Sequence, residues 1–298
     1  MANVNETKSV IRVGSRASRL AVIQSEIIMR QIEEVCPGVK TELITMKTTG
    51  DRILDRTLDQ IGGKGLFVKE LDEALRAGEV DLTVHSLKDL PGVIPEDLPL
   101  SAFSHREDPR DALVLPAGQT EIDMSLPVGT SSLRRSLQIK ELIPGITTAP
   151  VRGNVETRLR KLDEDQYSAL IMAAAGLKRL GLEDRISRYF SPEEMIPAAC
   201  QGVLGIQTRA GELADVTGRI NDADAGRCAL AERAYVRAIG ADCGSPDTAF
   251  AQISGDQIDI MALRYDAEKQ MIIRDIISGP AADAEALGRE LAYRVIKK

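Results

Sequence analysis

Aromatic side chains are scarce in this chain, at 3% of 298 residues, with no tryptophan. Proteins that hold single-stranded nucleic acid stack bases on repeated aromatic rings, so that class is disfavoured. A net charge of −7 at pH 7 weighs the same way, because nucleic acid is bound through phosphate-neutralising lysines and arginines. Histidine is rarer still, with only His85 and His105. Cysteines stand at 36, 200, 228 and 243, too far apart for the short Cys-x-x-Cys spacing of a zinc site. Neither a metal centre nor a His-based nucleophilic triad is expected, and disulfides are not expected in a reducing compartment. No apolar run approaches the roughly 18 residues of a membrane helix. The first ten residues, "MANVNETKSV", lack the basic start and apolar stretch of a signal peptide. The expectation is a cytoplasmic protein with no nucleic-acid or membrane partner.

What is present is a globular composition, 43% apolar and 28% charged, in a chain too long for one ordinary domain. The first third alternates strand and helix. "SVIRVG" and "TELITMK" read as strands around "SRLAVIQSEIIMRQIEEV", an apolar-periodic helix behind a serine cap at Ser18. "LFVKELDEALRAG" reads as a helix closed by Gly78, and "DLTVHS" as a third strand. Such alternation predicts a parallel sheet with helices on its faces. The same grammar recurs between residues 105 and 198, in "LPVG", "TTAPV" and "YSALIMAAAG", each followed by a helix. "IPAACQGVLGIQTR" reads as an extended return to the first sheet. From residue 223 a helix ending at Gly240 precedes three alternating runs and a final helix over 280–297, an α+β unit. The expected domains are 1–104 with 199–221, then 105–198, then 222–298.

Ligands of α/β sheets bind where strands end and helices begin. Every such junction here carries a cation or a hydroxyl. They are Ser15-Arg16 with Ser18, then Ser86, Lys88 and Asp89, then Ser131-Ser132 with Arg134-Arg135, then Arg152 with Arg158, and last Lys178-Arg179. Residues 127–180 hold nine Lys/Arg against five Asp/Glu, a basic stretch inside an acidic protein. This pattern points to a polyanionic ligand. Arginine suits carboxylates and phosphates because its fork is planar and bidentate. Cations in a first helical turn also oppose the helix dipole, so Arg134 and Arg135 are placed there against local preference.

The stretch "KTTGDRILDRTLDQIGGKGL" is long and aperiodic, the mark of a loop or lid. Lys64 lies among its glycines, but the GxxxxGK[ST] spacing of a phosphate loop is absent. A nucleotide-dependent transferase is disfavoured on that ground. Cys243 sits just past Gly240 in "GADCGSPD", a more accessible setting than helical Cys228.

In order and spacing, "VGSRASRLA", "GGKGLFVKELDEAL", "VHSLKDLP", "REDPRDALV", "VGTSSLRR", "VRGNVETRLRKL", "AAAGLKRLGL", "CQGVLGIQ" and the late "CGSP" resemble the porphobilinogen deaminase (hydroxymethylbilane synthase) family nearly end to end. The resemblance implies two α/β domains like those of type II periplasmic binding proteins around a cleft, plus a third α+β domain with a three-stranded antiparallel sheet. It implies a transferase that joins four porphobilinogen molecules head to tail, loses ammonia at each step and yields 1-hydroxymethylbilane for tetrapyrrole biosynthesis. The implied cofactor is a dipyrromethane on a cysteine thioether, here Cys243. Asp89 takes the place of the family's catalytic aspartate, near the pyrrole nitrogens. Arg16, Ser18, Lys64, Lys88, Ser132, Arg134, Arg135, Arg152, Arg158 and Arg179 take the places that bind cofactor and substrate carboxylates. The implied partners are porphobilinogen and the growing polypyrrole, and the implied state is a monomer.

Four positions depart from the family pattern. Gln60 replaces a lid lysine, Arg19 a proline, and Ala241-Asp242 the glycines that often precede the cofactor cysteine. The alternative reading is a non-enzymatic two-lobed anion-binding protein, which accounts for the arginines but not for Asp89 among them.

Overall fold

Alternating apolar residues make a strand of β1 (Val10–Arg16), with Ile11 and Val13 turned into a core. The computed structural model describes residues 8–48, 68–241 and 244–298. β2 (Lys40–Met46) and β3 (Leu82–Ser86) both pair with β1 in parallel. Helix α1 (Arg19–Val35) makes the first crossover. Ser18 caps it from an extended backbone, its Oγ accepting from the Ala21 N–H at 3.4 Å. Ile28 and Ile32 on one stripe of α1 pack against the sheet residues Val13, Leu82 and Val84. Helix α2 (Lys69–Arg76) ends as expected, with Gly78 left-handed at φ 69°.

The first sheet runs β2-β1-β3-β10-β4, with β4 at Leu100–Phe103 and β10 at Leu204–Thr208. The sheet is mixed, where alternation predicts a parallel one. β10 pairs antiparallel with both β3 and β4. The cause is connectivity. β10 arrives from the distant segment after residue 202 with no helical crossover from a neighbouring strand, and only such crossovers force parallel pairing. Chain contacts group the described residues up to His105 with Val203–Gly226 as one compact unit, which also holds helix α6 (Ala214–Ile220).

Arg106–Gly202 and Arg227–Lys298 form the other unit. Its larger sheet repeats the plan of the first, in the order β7-β6-β8-β5-β9. β6 (Val128–Gly129), β7 (Thr148–Ala149) and β8 (Ala169–Ala173) are parallel, and β5 (Asp111–Val114) is antiparallel to β8 and to β9 (Arg188–Tyr189). In both sheets the antiparallel strand is the first one formed after the chain crosses from the other unit. α3 (Leu133–Leu142) is capped by Ser132 and α4 (Val155–Asp163) by Asn154, each accepting from the backbone three residues on. α5 (Ala174–Arg179) starts inside "AAAG", because Ala173 closes the ladder with Asp111 and alanine favours a helix.

The third sheet is the expected meander of β11 (Thr248–Ser254), β12 (Gln257–Asp266) and β13 (Met271–Pro280). α7 (Ala223–Ile239) and α8 (Ala284–Ile296) cover it around Tyr235, Ile258, Ile260 and Leu291. The two helices approach so closely that a Cβ on Gly288 would lie 2.2 Å from the Ala231 carbonyl oxygen. Buried Glu232 ties this part to the return segment. It accepts from Arg106 at 2.7 and 3.0 Å, from the Ala251 N–H, and from the Cys200 N–H. Among the described residues, no helix is long and apolar enough to cross a membrane.

Candidate active site

β3 stops at Ser86 because Leu87–Asp89 coil into a 3-10 turn and Pro91 lacks the N–H that a ladder needs. Leu87 and Leu90 turn into the core, and Asp89 between them is exposed. The parallel neighbour β1 ends alongside at Arg16. The two strand ends and the start of α1 line one small pocket open to solvent. Its polar lining is Arg16, Gln24, His85, Ser86 and Asp89, and Ala21, Val68, Val84 and Leu90 supply the apolar part. A guanidinium and a carboxylate thus face the same space at the carboxyl ends of the strands.

Gln24 is 4% exposed, a polar residue on the buried stripe of α1. Its amide donates to Ser86 Oγ at 2.9 Å and accepts from the same hydroxyl at 3.0 Å, which fixes both groups at the cavity wall. His85 is 6% exposed, with Nε2 2.9 Å from Thr83 Oγ1. Burial, and after it the charge of Arg16, pushes the His85 imidazole down to about 4, so it is neutral at neutral pH. The cap bond of Ser18 uses a lone pair of its hydroxyl, not its O–H donor. Lys88, half-buried, adjoins Asp89 on the same 3-10 turn.

In the second unit Ser132, Arg134 and Arg135 share the first turn of α3. Both arginines point inward, at 4% and 8% exposure, and both pair with fully buried Asp111. Burial alone would raise the Asp111 carboxyl, but the charges of Arg134 and Arg135 overcome it and hold the group well below the usual carboxylate range. Arg152 and Arg158 are half-buried around the start of α4, where Arg158 donates to the Gly153 carbonyl at 2.8 Å. Arg179, at the end of α5, donates to the Gly202 carbonyl at 2.6 Å. Burial pushes Arg179 down to about 10, with Glu107 opposing.

Lys64 and Cys243 lie outside the described residues. The described thiols, Cys36, Cys200 and Cys228, are all buried. Burial and the neighbouring Glu232 carboxylate push the Cys200 thiol far up, which leaves little thiolate to act as a nucleophile. Gln24 and Asp111 are not among the residues that sequence reasoning singles out. The signal for Gln24 is a polar side chain at a helix position spaced for burial. That for Asp111 is an aspartate opening an otherwise apolar strand. Among the described residues, no group of three His, Cys, Asp or Glu could hold a metal ion.

Comparison with known proteins adds direct relationships. A family profile described as "Porphobilinogen deaminase, dipyromethane cofactor binding domain" matches residues 11–215. A second, "Porphobilinogen deaminase, C-terminal domain", matches residues 226–297. The chain is 50% identical over 287 residues to the porphobilinogen deaminase of Acetivibrio thermocellus, covering 96% of this chain and 98% of that one. It is likewise 50% identical over 285 residues to that of Ruminiclostridium josui, covering 96% and 97%. Among solved structures, the methionine binding protein MetQ overlays with a TM-score of 0.44 at 15% identity, over 71% of this chain and 88% of that one.

Proposed function

The chain belongs to the porphobilinogen deaminase family, a family of transferases with a dipyrromethane cofactor, and from that premise we propose how its own residues perform the reaction. Porphobilinogen is the substrate. Each condensation breaks the C–N bond of an aminomethyl group, forms one C–C bond and releases ammonia; after four rounds one water cleaves the bond that holds the chain and supplies the hydroxyl, so four porphobilinogen and one water give 1-hydroxymethylbilane and four ammonia. The observation that carries the assignment of roles is the cavity shared by Arg16 and Asp89.

As ammonia leaves, positive charge develops on the substrate pyrrole. Asp89 stabilises that charge and accepts the pyrrole proton, an interaction that strengthens as the charge builds and therefore accelerates the step. Arg16 holds a substrate carboxylate in the same cavity, and Ser18 offers its O–H beside it. Ser86, fixed by Gln24, and neutral His85 supply polar contacts that add no second cation next to the developing charge. Lys64, Lys88, Ser132, Arg152, Arg158, Arg179 and the Arg134–Arg135 pair take the remaining acetates and propionates.

The donor set fits a dipyrromethane, whose carboxylates call for cations such as those that each unit carries. In unit two, a pair of buried arginines shares one acid and so retains a positive charge for a ligand. When bound, the group supplies the pyrrole carbon that takes part in the first C–C bond. Cys243 is its attachment point in this reading, supported by the burial of the described thiols. The three-part division 1–104 with 199–221, 105–198 and 222–298, a monomeric state, a cytoplasmic location and no nucleic-acid or membrane partner complete the proposal. A non-enzymatic anion binder is disfavoured by family membership and gains nothing from a carboxylate at Asp89.

The test is ammonia release and tetrapyrrole formation by purified protein with porphobilinogen. Asp89→Ala should fold with an unchanged circular dichroism spectrum and lose at least roughly two orders of magnitude in rate, the scale of a lost acid/base or charge stabiliser. Near-normal turnover in that variant would remove Asp89 from the mechanism.

A further inference from the structure

Gln24 lies on the buried stripe of α1, only 4% exposed, where an apolar side chain would pack without a desolvation cost. Its amide meets the hydroxyl of Ser86, which ends β3. Nε2 donates to Ser86 Oγ at 2.9 Å, and Oε1 accepts the Ser86 O–H at 3.0 Å. A half-turn of the amide exchanges its oxygen and nitrogen and leaves the same two bonds. A serine hydroxyl has one proton to give and two lone pairs to share. Gln24 takes the proton and fills one lone pair. What Ser86 still offers to the pocket that it lines is the other lone pair.

The neighbouring polar groups of that pocket have fixed roles. The Arg16 guanidinium only donates, and the Asp89 carboxylate only accepts. His85 is neutral, and its Nε2 is engaged with Thr83 Oγ1 at 2.9 Å. The pocket therefore presents one cation for a carboxylate and two acceptors for N–H groups, of which Asp89 is charged and Ser86 is not.

We propose that Gln24 is a positioning residue: by holding the Ser86 proton, it keeps Ser86 as the acceptor for the aminomethyl ammonium of incoming porphobilinogen. This inference rests on the reading of the pocket as the porphobilinogen site, and it adds what orients the leaving group. Porphobilinogen carries two kinds of N–H, on the pyrrole ring and on the protonated aminomethyl group. Asp89 serves the first and Ser86 the second. Neutrality suits Ser86 to that task. A carboxylate there would draw a proton from the ammonium and leave a bare amine, a poor leaving group. A hydroxyl whose own proton is committed accepts a hydrogen bond and takes no proton. The C–N bond then breaks with its electron pair going to nitrogen, the ammonium departs as neutral ammonia, and the positive charge stays on the pyrrole.

The experiment uses the holoenzyme and two substrates, porphobilinogen and its analogue with a hydroxymethyl group in place of the aminomethyl group, and reads kcat/KM for each. The two share the ring, the carboxylates and the pyrrole N–H, so they differ only in the group assigned to Ser86. Gln24→Leu frees the Ser86 proton. It should lower kcat/KM for porphobilinogen about tenfold, the scale of one lost charge-assisted hydrogen bond. The loss for the analogue should stay below about threefold, because a neutral hydroxyl can accept from the freed serine. Ser86→Ala should show the same bias, with the larger loss for porphobilinogen. The double variant should be no worse than the poorer single one, since both changes remove one contact. Equal losses on the two substrates would place Ser86 against the pyrrole N–H or reduce Gln24 to packing, and would overturn the proposal. Additive losses in the double variant would overturn it as well. If Gln24→Leu does not fold, Ser86→Ala alone decides by the same ratio. A wild type that turns over neither substrate would overturn the proposal together with the reading beneath it.

Discussion

Asp89 reaches the cavity because Leu87 and Leu90 beside it are buried and the turn they anchor aims the residue between them outward. Beneath it, His85 makes a distinct prediction. Its imidazole is neutral in the fold with a value near 4, against 6.5 for an unconstrained histidine. The unfolded chain therefore binds a proton that the native one refuses as pH falls. The stability involved is fully present above pH 6.5 and declines by about 3 kcal/mol on the way to pH 4, since each tenfold difference in proton affinity is worth about 1.4 kcal/mol. Chemical denaturation at pH 7 and pH 4 should show wild type losing about that much more stability than His85→Gln. Equal losses would mean that His85 is not buried as described. At this scale the sequence reveals the charges but not their partners. Asp89 and Arg16 can be placed by their position at strand exits. The pairing of Asp111 with Arg134 and Arg135 depends on a ladder and a helix that meet only in three dimensions.

Elements are legible where the local signal is strong. The Ser18 cap of α1, the Gly78 and Gly240 stops and the three-stranded meander all follow residue chemistry that acts within a few positions. β4 and β9 are not, because four and two residues are too few to show a period. The antiparallel entry of β10 is hidden for another reason, since strand direction is set by connectivity and not by composition. Gly288 in α8 illustrates tertiary override in a measurable form. In an exposed helix interior, Gly→Ala stabilises by about 1 kcal/mol. Here the added Cβ would sit 2.2 Å from the Ala231 carbonyl oxygen, so α7 and α8 must part. Gly288→Ala should therefore destabilise by about 2 kcal/mol, the usual scale of overpacking, and thermal unfolding should show a lower midpoint. A midpoint at or above wild type would show that the helices have room to spare.

For the whole molecule, the decisive signals are distributed ones. The excess of basic residues over 127–180, in a chain whose net charge is −7, indicates a polyanionic ligand from charge placement alone. The ordered motifs resemble a family to which two profiles and relatives at 50% identity assign the chain. The repeated plan of the two five-stranded sheets then explains why cations gather where they do, because each parallel strand delivers its successor loop to the same end of its sheet. The central claim is that this chain builds its product on a dipyrromethane anchored at Cys243. An intact mass spectrum of the purified protein, followed by peptide mapping, tests it most directly. The account predicts an added mass of two condensed pyrrole units on the peptide containing "ADCGSP", absent from Cys243→Ser, which should be largely inactive. An active protein of unmodified mass, or an adduct mapped to Cys200, would contradict it.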